Sequence, residues 1–387
     1  MSLDASAAKV AVLGAGPGGL TLARLLQRRG FDVKVYERDA DRSARSQGGT
    51  LDLDAESGQR AIREMRLETE FAAFSRPEGQ ALRILNKQGE MLWDEKAEDG
   101  GGSRPEIDRG VLRDLLLDSL LPETVLWDAH VTEIAPLPNE QWQVITQDDR
   151  RCVYDLVVGC DGASSRARPL LSSATPVYSG ITYVEMGIPN ADQTAPEAAA
   201  LVGHGSVFAL DDAKAIIAQR NGGGYIRLYA ALAVEGDWAK ANAVRFQSPA
   251  SARAASLSLF ADWSPGLRHL LEVAEDRFVL RPLSRLPFEH RWQTRPGLTL
   301  LGDAAHLMTP FAGQGANLAM LDAVDLADCL CAGSSMTDAL AAFETAMQGR
   351  AQDAAQETQR NQEMFFGGEA AENVARQMAS FMAEASR

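Results

Sequence analysis

The residues able to do chemistry in this sequence gather in three stretches that set glycine beside a carboxylate. In the first, Gly14-Ala15-Gly16-Pro17-Gly18-Gly19 directly follows the apolar run from Lys9 to Leu13. Gly14 permits a tight turn, Gly16 lets the backbone approach a pyrophosphate, and Gly19 lets a helix pack closely on a strand. Glu37 stands about 20 residues beyond the turn, where a carboxylate can grip ribose hydroxyls. The second stretch is Asp161-Gly162-Ala163-Ser164-Ser165-Arg166-Ala167-Arg168. It puts an acid at the carboxyl end of a strand, where cofactors lie in open α/β sheets. Ser165 is placed to cap the segment that follows, and Arg168 to bring positive charge near phosphates. The third runs from Leu301 to Asn317 and holds Gly302-Asp303 and Pro310-Phe311-Ala312-Gly313-Gln314-Gly315. That pattern suits a ribityl chain and an isoalloxazine ring. Asp303 can accept from a ribityl hydroxyl, Gly313 and Gly315 let backbone N–H groups near a ring edge, and a helix beginning near Asn317 points its positive end there.

The elements that must position these residues are legible around them. Lys9 to Leu13 predicts a buried parallel strand, a helical pattern runs on to Arg29, and Phe31 to Tyr36 predicts a second strand ending at Glu37. Such a unit serves NAD and FAD alike. Arg38 and Arg45 lie in the polar run that follows, before Gly48-Gly49-Thr50-Leu51-Asp52-Leu53-Asp54 and a helix from Glu56 to Met65. Residues 76–105 alternate as strands (Ala81 to Leu85, Glu90 to Trp93), with Glu98 to Ser103 read as a flexible tip. Arg109 opens an amphipathic helix with Leu112, Leu115, Leu116 and Leu120 on one face; the arginine is either solvated or functional. Val125 to Thr146 reads as a meander of three strands turning near Ala129 and at Pro138-Asn139.

Bulk composition narrows the class. A chain of 387 residues predicts two domains or one discontinuous pair, and a hydrophobic fraction of 45% is ordinary for a globular protein. A net charge of −15 argues against nucleic acid and anionic membrane as partners. Cys152, Cys160, Cys329 and Cys331 form no Cys-x-x-Cys pair, so neither a metal site nor a redox dithiol is expected, only buried free thiols. Met1 to Ala8 lacks the pattern of a signal peptide and no run reaches membrane-spanning length, so a cytoplasmic protein is expected.

Taken together, the three stretches resemble the single-component FAD-dependent aromatic hydroxylases, the para-hydroxybenzoate hydroxylase-like fold. Gly14 to Gly19 and Glu37 match that family's pyrophosphate turn and ribose acid. Asp161-Gly162 with Ser165 and Arg168 match its Asp-Gly motif, and Gly302-Asp303 with Pro310, Gly313 and Gly315 match its Gly-Asp motif. A narrower resemblance, to the tetracycline-inactivating FAD monooxygenases, is carried by Gly48 to Leu53, by Pro105-Glu106-Ile107 with Arg109, and by Gly302 to Gly315. It implies that Arg38, Arg45, Asp52 and Arg109 touch FAD. The implied fold is α/β: a Rossmann-like FAD-binding domain (βαβ plus a β-meander) with an inserted, mostly antiparallel substrate sheet and a C-terminal helix. The expected FAD-binding domain comprises residues 1–75, 106–176 and 286–336, the substrate domain 76–105 and 177–285, and a helical segment 337–387. In that segment Val374, Met378, Phe381 and Met382 form one stripe suited to docking on the protein's own surface.

The substrate domain carries no diagnostic motif. Strands are expected at Thr182 to Ile188, Ser206 to Leu210, Ala215 to Gln219 and Tyr225 to Leu232, with a hairpin tip at Asn221-Gly222-Gly223-Gly224. By the resemblance, Glu185, Ser206 and Arg227 stand where the tetracycline enzymes hold substrate with Gln, Arg and His; the plainer reading pairs Glu185 with Arg227 across strands. Phe311 is a further substrate candidate. The family implies transient NADPH and O2 as co-reactants, a hydroxyl passed from a flavin C4a-hydroperoxide to an electron-rich aromatic or polyketide-like molecule, and flavin-borne chemistry with no catalytic side chain. A monomer is expected. His306 has no visible partner in the sequence and His290 and Trp292 read as structural. The alternative is a flavin-containing protein that sequesters a planar ligand without turnover. The sequence holds no Trp-x-Trp, as a flavin halogenase would require, and no redox dithiol, as a disulfide reductase would.

Overall fold

Apolar runs without alternation, such as Val10 to Leu13 and Leu156 to Val158, need cover on both faces, and both are buried within one parallel sheet. The computed structural model describes residues 8–45, 47–96, 104–211, 213–332 and 335–385. The expectations placed on residues 1–7 and on Glu98 to Ser103 lie outside the described residues. Two units are resolved: Met1–Ser75, Arg109–Val177 and Ser284–Thr358 form one, and Arg76–Asp108, Tyr178–Leu283 and Gln359–Arg387 the other. The C-terminal helices therefore do not stand apart. The Met336–Phe365 helix lies mostly in the first unit, and Ala370–Ala385 in the second.

In the first unit five parallel strands run in the order Leu298–Leu300, Leu156–Gly159, Lys9–Leu13, Asp32–Tyr36 and Val125–Leu126. The expected meander is shifted along the chain. Val125–Leu126 arrives from the Arg109–Asp118 helix and pairs in parallel with Val35 and Tyr36. The meander itself is Val131–Pro136, Trp142–Thr146 and Arg151–Tyr154. Two cysteines also depart from expectation, since Cys152 and Cys331 are exposed; all four are free.

The second unit is built on a seven-stranded sheet in the order Val279–Arg285, Val177–Ile188, Ile226–Ala233, Lys214–Arg220, Ser206–Asp211, Leu82–Asn86 and Met91–Glu95. Ser206–Asp211 and Leu82–Asn86 pair in parallel, and the Gly222–Gly224 turn joins two antiparallel strands. Alternation sorts its faces. Val184, Met186, Ile188, Leu228 and Ala230 point into a core shared with Val202, Phe260, Trp263 and Leu267. The helices on that face, Pro196–Val202, Pro249–Leu259 and Pro265–Glu272, were not foreseen, although each starts with proline in its first turn. Of the stripe expected on the Ala370–Ala385 helix, Val374 is buried and Met378 half-buried, but Phe381 and Met382 are exposed, so the docking stripe fails beyond its first half. No helix among the described residues is long and apolar enough to cross a membrane.

Candidate functional site

Packing treats the first stretch's glycines differently. A Cβ on Gly14 (φ +104°) would sit 2.5 Å from the Cys160 carbonyl oxygen, and one on Gly19 would sit 2.2 Å from the Gly14 carbonyl oxygen. These two close the strand–helix contact. At Gly16 nothing lies within 4 Å of the Cβ position, which leaves the backbone open to a phosphate. Glu37 is buried, and its carboxylate accepts from the Ala15 N–H at 2.8 Å and the Asp39 N–H at 3.0 Å.

Of the four residues implied by the narrower resemblance, three are peripheral in their side chains. Arg38 is exposed, and Arg45 is exposed and pairs with Asp39 at 3.0 Å. Arg109 is exposed as well; its backbone N–H donates to the Gly49 carbonyl at 3.0 Å and its side chain lies along Gly48. One turn later Arg113, which sequence reasoning passed over, is only 2% exposed. Its Nε donates to the Ala15 carbonyl and its Nη1 to the Arg42 carbonyl, both at 3.1 Å. Its Nη2 lies 3.6 Å from Asp39 and 3.9 Å from Glu37 and has no hydrogen-bond partner. Burial pushes its pKa down while Glu37 and Asp39 push it back up. The available signal was an arginine set among leucines on a buried helix face.

In the third stretch Gly302 (φ +60°) turns the chain from its strand into a short helix, Asp303–His306. The Asp303 carboxylate is half-buried and accepts no hydrogen bond among the described residues. Pro310 is exposed, Phe311 is buried, and Gly313 (φ +65°) leads into the helix Gln314–Ala332. That helix starts earlier than expected, so Gly315 falls in its first turn, where N–H groups lack helical partners and open space surrounds its Cβ position. Asn317 is instead fully buried and serves as a fastener. Its Oδ1 accepts from the Asp54 and Gly58 N–H groups at 2.9 and 3.2 Å, and its Nδ2 donates to the Asp52 carbonyl at 2.8 Å. Asp52 is thus held through its backbone.

The second stretch corrects the role expected for Arg168. Ser165 Oγ accepts from the Ala167 and Arg168 N–H groups, as a cap should. The Arg168 guanidinium is buried and donates to the carbonyls of Ala304 (3.1 Å) and Ala163. Its donors are spent on backbone, because only a planar fork can bridge these two turns. Asp161 accepts from the Arg166 N–H at 2.6 Å, its other oxygen is buried without a partner, and burial pushes its pKa up.

These groups fit FAD chemically. Gly16 offers room for a pyrophosphate, Glu37 and Arg113 an acid and a donor for ribose, Asp303 an acceptor for ribityl, and the turn at Gly315 N–H groups for a ring edge. Residues 7–252 and 274–360 match the family model described as FAD binding domain. The chain belongs to this FAD-binding family. It is a flavoprotein monooxygenase: the monooxygenase asqM of Emericella nidulans is 32% identical over 440 aligned residues, spanning 96% of this chain and 98% of asqM. HpxO of Klebsiella pneumoniae, solved with FAD and uric acid, superposes with a TM-score of 0.80 at 20% identity, covering 96% of this chain and 92% of HpxO. The tetracycline destructase Tet(55) superposes with a TM-score of 0.76 at 19% identity, covering 99% and 96%. Those two likenesses are of fold.

Elsewhere in the flavoprotein, Glu185 and Arg227 share the sheet face opposite the helices and form a buried cross-strand ion pair. Arg281 joins it, donating to Glu185 at 2.7 Å. Tyr183 and Tyr229 lie together on the same face, ring centroids 5.1 Å apart and tilted 43° to each other. Ser206 lies opposite Gln219 on the neighbouring strands, and Phe311 belongs to the other unit. His306, which lacked a partner in the sequence, donates to or accepts from buried Asp322 at 2.6 Å, and Asp322 also takes Arg350 at 3.0 Å and the Gly302 N–H at 3.2 Å. Burial pushes the His306 pKa down, but the charge and hydrogen bond of Asp322 outweigh it and hold it above the usual value.

Proposed function

We propose that this monooxygenase consumes NAD(P)H and O2 to hydroxylate an electron-rich, planar, phenolic or polyketide-like molecule. The observation that carries the substrate reading is the buried Glu185–Arg227 pair set beside the Tyr183–Tyr229 pair on one sheet face. Aromatic rings give a flat surface for a planar ligand. The Arg227 fork, oriented by Glu185, gives donors for a phenolate, enolate or carbonyl oxygen. Burial keeps the Tyr183 hydroxyl protonated by raising its pKa, so it acts as a donor too.

When bound, FAD supplies the redox and oxygen chemistry. The protein's part is positional. Gly14, Gly16 and Gly19 shape the pyrophosphate turn, and Glu37 with Arg113 orients the adenosine ribose. Asp303, with Gly302 setting its turn, accepts from the ribityl chain. Pro310, Gly313 and Gly315 border the ring, while Asp161 and Arg168 hold the adjoining turns. Arg38, Arg45, Asp52 and Arg109 line the same cofactor's approach. No side chain is required as a nucleophile. NADPH binds transiently, without a second glycine-rich dinucleotide turn to retain it.

Tetracyclines belong in the substrate panel because the narrower sequence resemblance points to them. The pocket chemistry differs, however, with Glu185, Ser206 and Arg227 at the aligned positions. NADPH oxidation by the FAD-loaded protein, with and without a panel of phenolic polyketides, tests the reading. Ligand-stimulated oxidation and a product heavier by one oxygen atom are expected. Ligand binding with neither would establish the sequestering protein instead.

A further inference from the structure

Within the first unit, the Asp322 carboxylate is buried, only 1% exposed, and gathers partners from three directions. Its Oδ2 accepts from the Gly302 N–H at 3.2 Å and pairs with His306 Nε2 at 2.6 Å. Its Oδ1 accepts from Arg350 Nη2 at 3.0 Å. Gly302 immediately precedes the single-turn helix Asp303–His306, and His306 ends it. One oxygen therefore clamps both ends of the turn that carries Asp303. Arg350, on the Met336–Phe365 helix, holds the other oxygen and also pairs with Asp325 at 2.9 Å, which keeps the carboxylate from rotating.

Stability alone does not account for such a group. Apolar residues of similar volume often match or better a buried ion pair, because desolvation offsets its Coulomb gain. What a buried, hydrogen-bonded carboxylate adds is direction, and this turn needs it. Gly302 sits at φ +60°, ψ −145°, and glycine has the most backbone freedom of any residue. A helix of one turn does not persist on its own hydrogen bonds. The Asp303 carboxylate accepts no hydrogen bond among the described residues, so its aim follows the backbone beneath it. Asp322 also belongs to the helix Gln314–Ala332, about two turns, or roughly 10 Å, beyond Gly315. A Cβ on Gly302 would lie 3.0 Å from Ala319 Cβ on that same helix, so turn and helix are closely packed. We propose that Asp322 is a positioning residue for the flavin. It fixes the Asp303 carboxylate relative to the N–H groups at Gly315, and so sets the geometry of the ribityl and ring half of FAD without touching it. This role rests on the FAD cradle proposed above.

The full-length, FAD-free protein is titrated calorimetrically with FAD and, separately, with ADP, which offers the adenosine and pyrophosphate half alone. Asp322→Asn keeps the volume, but its amide must turn donors toward either Arg350 or the Gly302 N–H. It is expected to lower FAD affinity about tenfold while ADP affinity stays within about twofold of the wild type. A role confined to holding the fold together would weaken both ligands alike. Should Asp322→Asn not fold, two variants of His306 decide the matter. In His306→Gln the amide reaches the place of Nε2, and FAD affinity should stay within about threefold; His306→Leu should lose about tenfold, with ADP unmoved in both. Equal weakening of FAD and ADP, unchanged FAD affinity in Asp322→Asn, or equal FAD affinity in the two His306 variants would overturn the proposal. Wild-type protein that binds FAD no more tightly than ADP would overturn the cradle itself, and the positioning role with it.

Discussion

Asn317 Oδ1 accepts a hydrogen bond from the Asp54 backbone at 2.9 Å, across 263 residues of chain. The same oxygen takes Ser57 Oγ at 3.1 Å and the Gly58 N–H at 3.2 Å. One side chain therefore locks the loop carrying Asp52 onto the first turn of the helix that carries Gly315. Asn317→Ala leaves these buried donors without an acceptor and should cost about 3 kcal/mol of stability. Urea unfolding of the FAD-free protein measures it. Asn317→Asp restores the acceptors but sets a carboxylate against the Asp52 carbonyl, so it should rescue only in part.

Arg168 gives a prediction that separates a fastener from a phosphate ligand. Replacing it with Lys keeps the charge but cannot bridge the carbonyls of Ala304 and Ala163. The melting temperature of the FAD-free protein should fall by several degrees in Arg168→Lys, on the order of 1–3 kcal/mol. A phosphate ligand would lower FAD affinity and leave the FAD-free protein unchanged.

The two arginines on Glu185 should differ. Arg227 is 7% exposed, whereas the Arg281 side chain is 54% exposed. Arg227→Met should destabilise by about 3 kcal/mol by stripping a buried carboxylate of its enclosed partner. Arg281→Met should cost less than about 1 kcal/mol. If the pair also holds substrate, Arg227→Lys will raise KM far more than it lowers kcat, as read from steady-state kinetics.

His290 titrates in the native state near pH 4, because burial first, then Arg168 and His306, disfavour its charge. Unfolded, it titrates near its ordinary value of 6.5. Between these values the unfolded chain binds the extra proton, so His290 makes stability fall as pH drops from 6.5 toward 4. His290→Gln should flatten that portion of the stability–pH curve, measured by urea unfolding at successive pH values.

Much of the cofactor half was legible because its chemistry is local. Gly16 and Glu37 depend on a turn and a strand end that the chain itself spells out. Arg113 and Asn317 were missed because their roles depend on what folds over them from distant segments. The same holds for His306, whose partner Asp322 sits on the following helix with no motif joining the two. Arg168 was located at the right turn but given the wrong contact, since a spacing cannot tell a guanidinium facing phosphate from one facing carbonyls. The substrate sheet showed its strands through alternation. Its helices were overlooked, although Ser248-Pro249 and Ser264-Pro265 are helix starts.

In the proposed arrangement the three glycine–carboxylate stretches form one FAD cradle, with the Asp303 carboxylate as its ribityl acceptor. Flavin content of purified Asp303→Ala, read as absorbance near the flavin band against protein concentration, tests it most directly. Most of the yellow cofactor should be lost while the FAD-free melting temperature stays close to that of the wild type, because the Asp303 carboxylate accepts no hydrogen bond among the described residues. Full retention of FAD by Asp303→Ala would contradict the account.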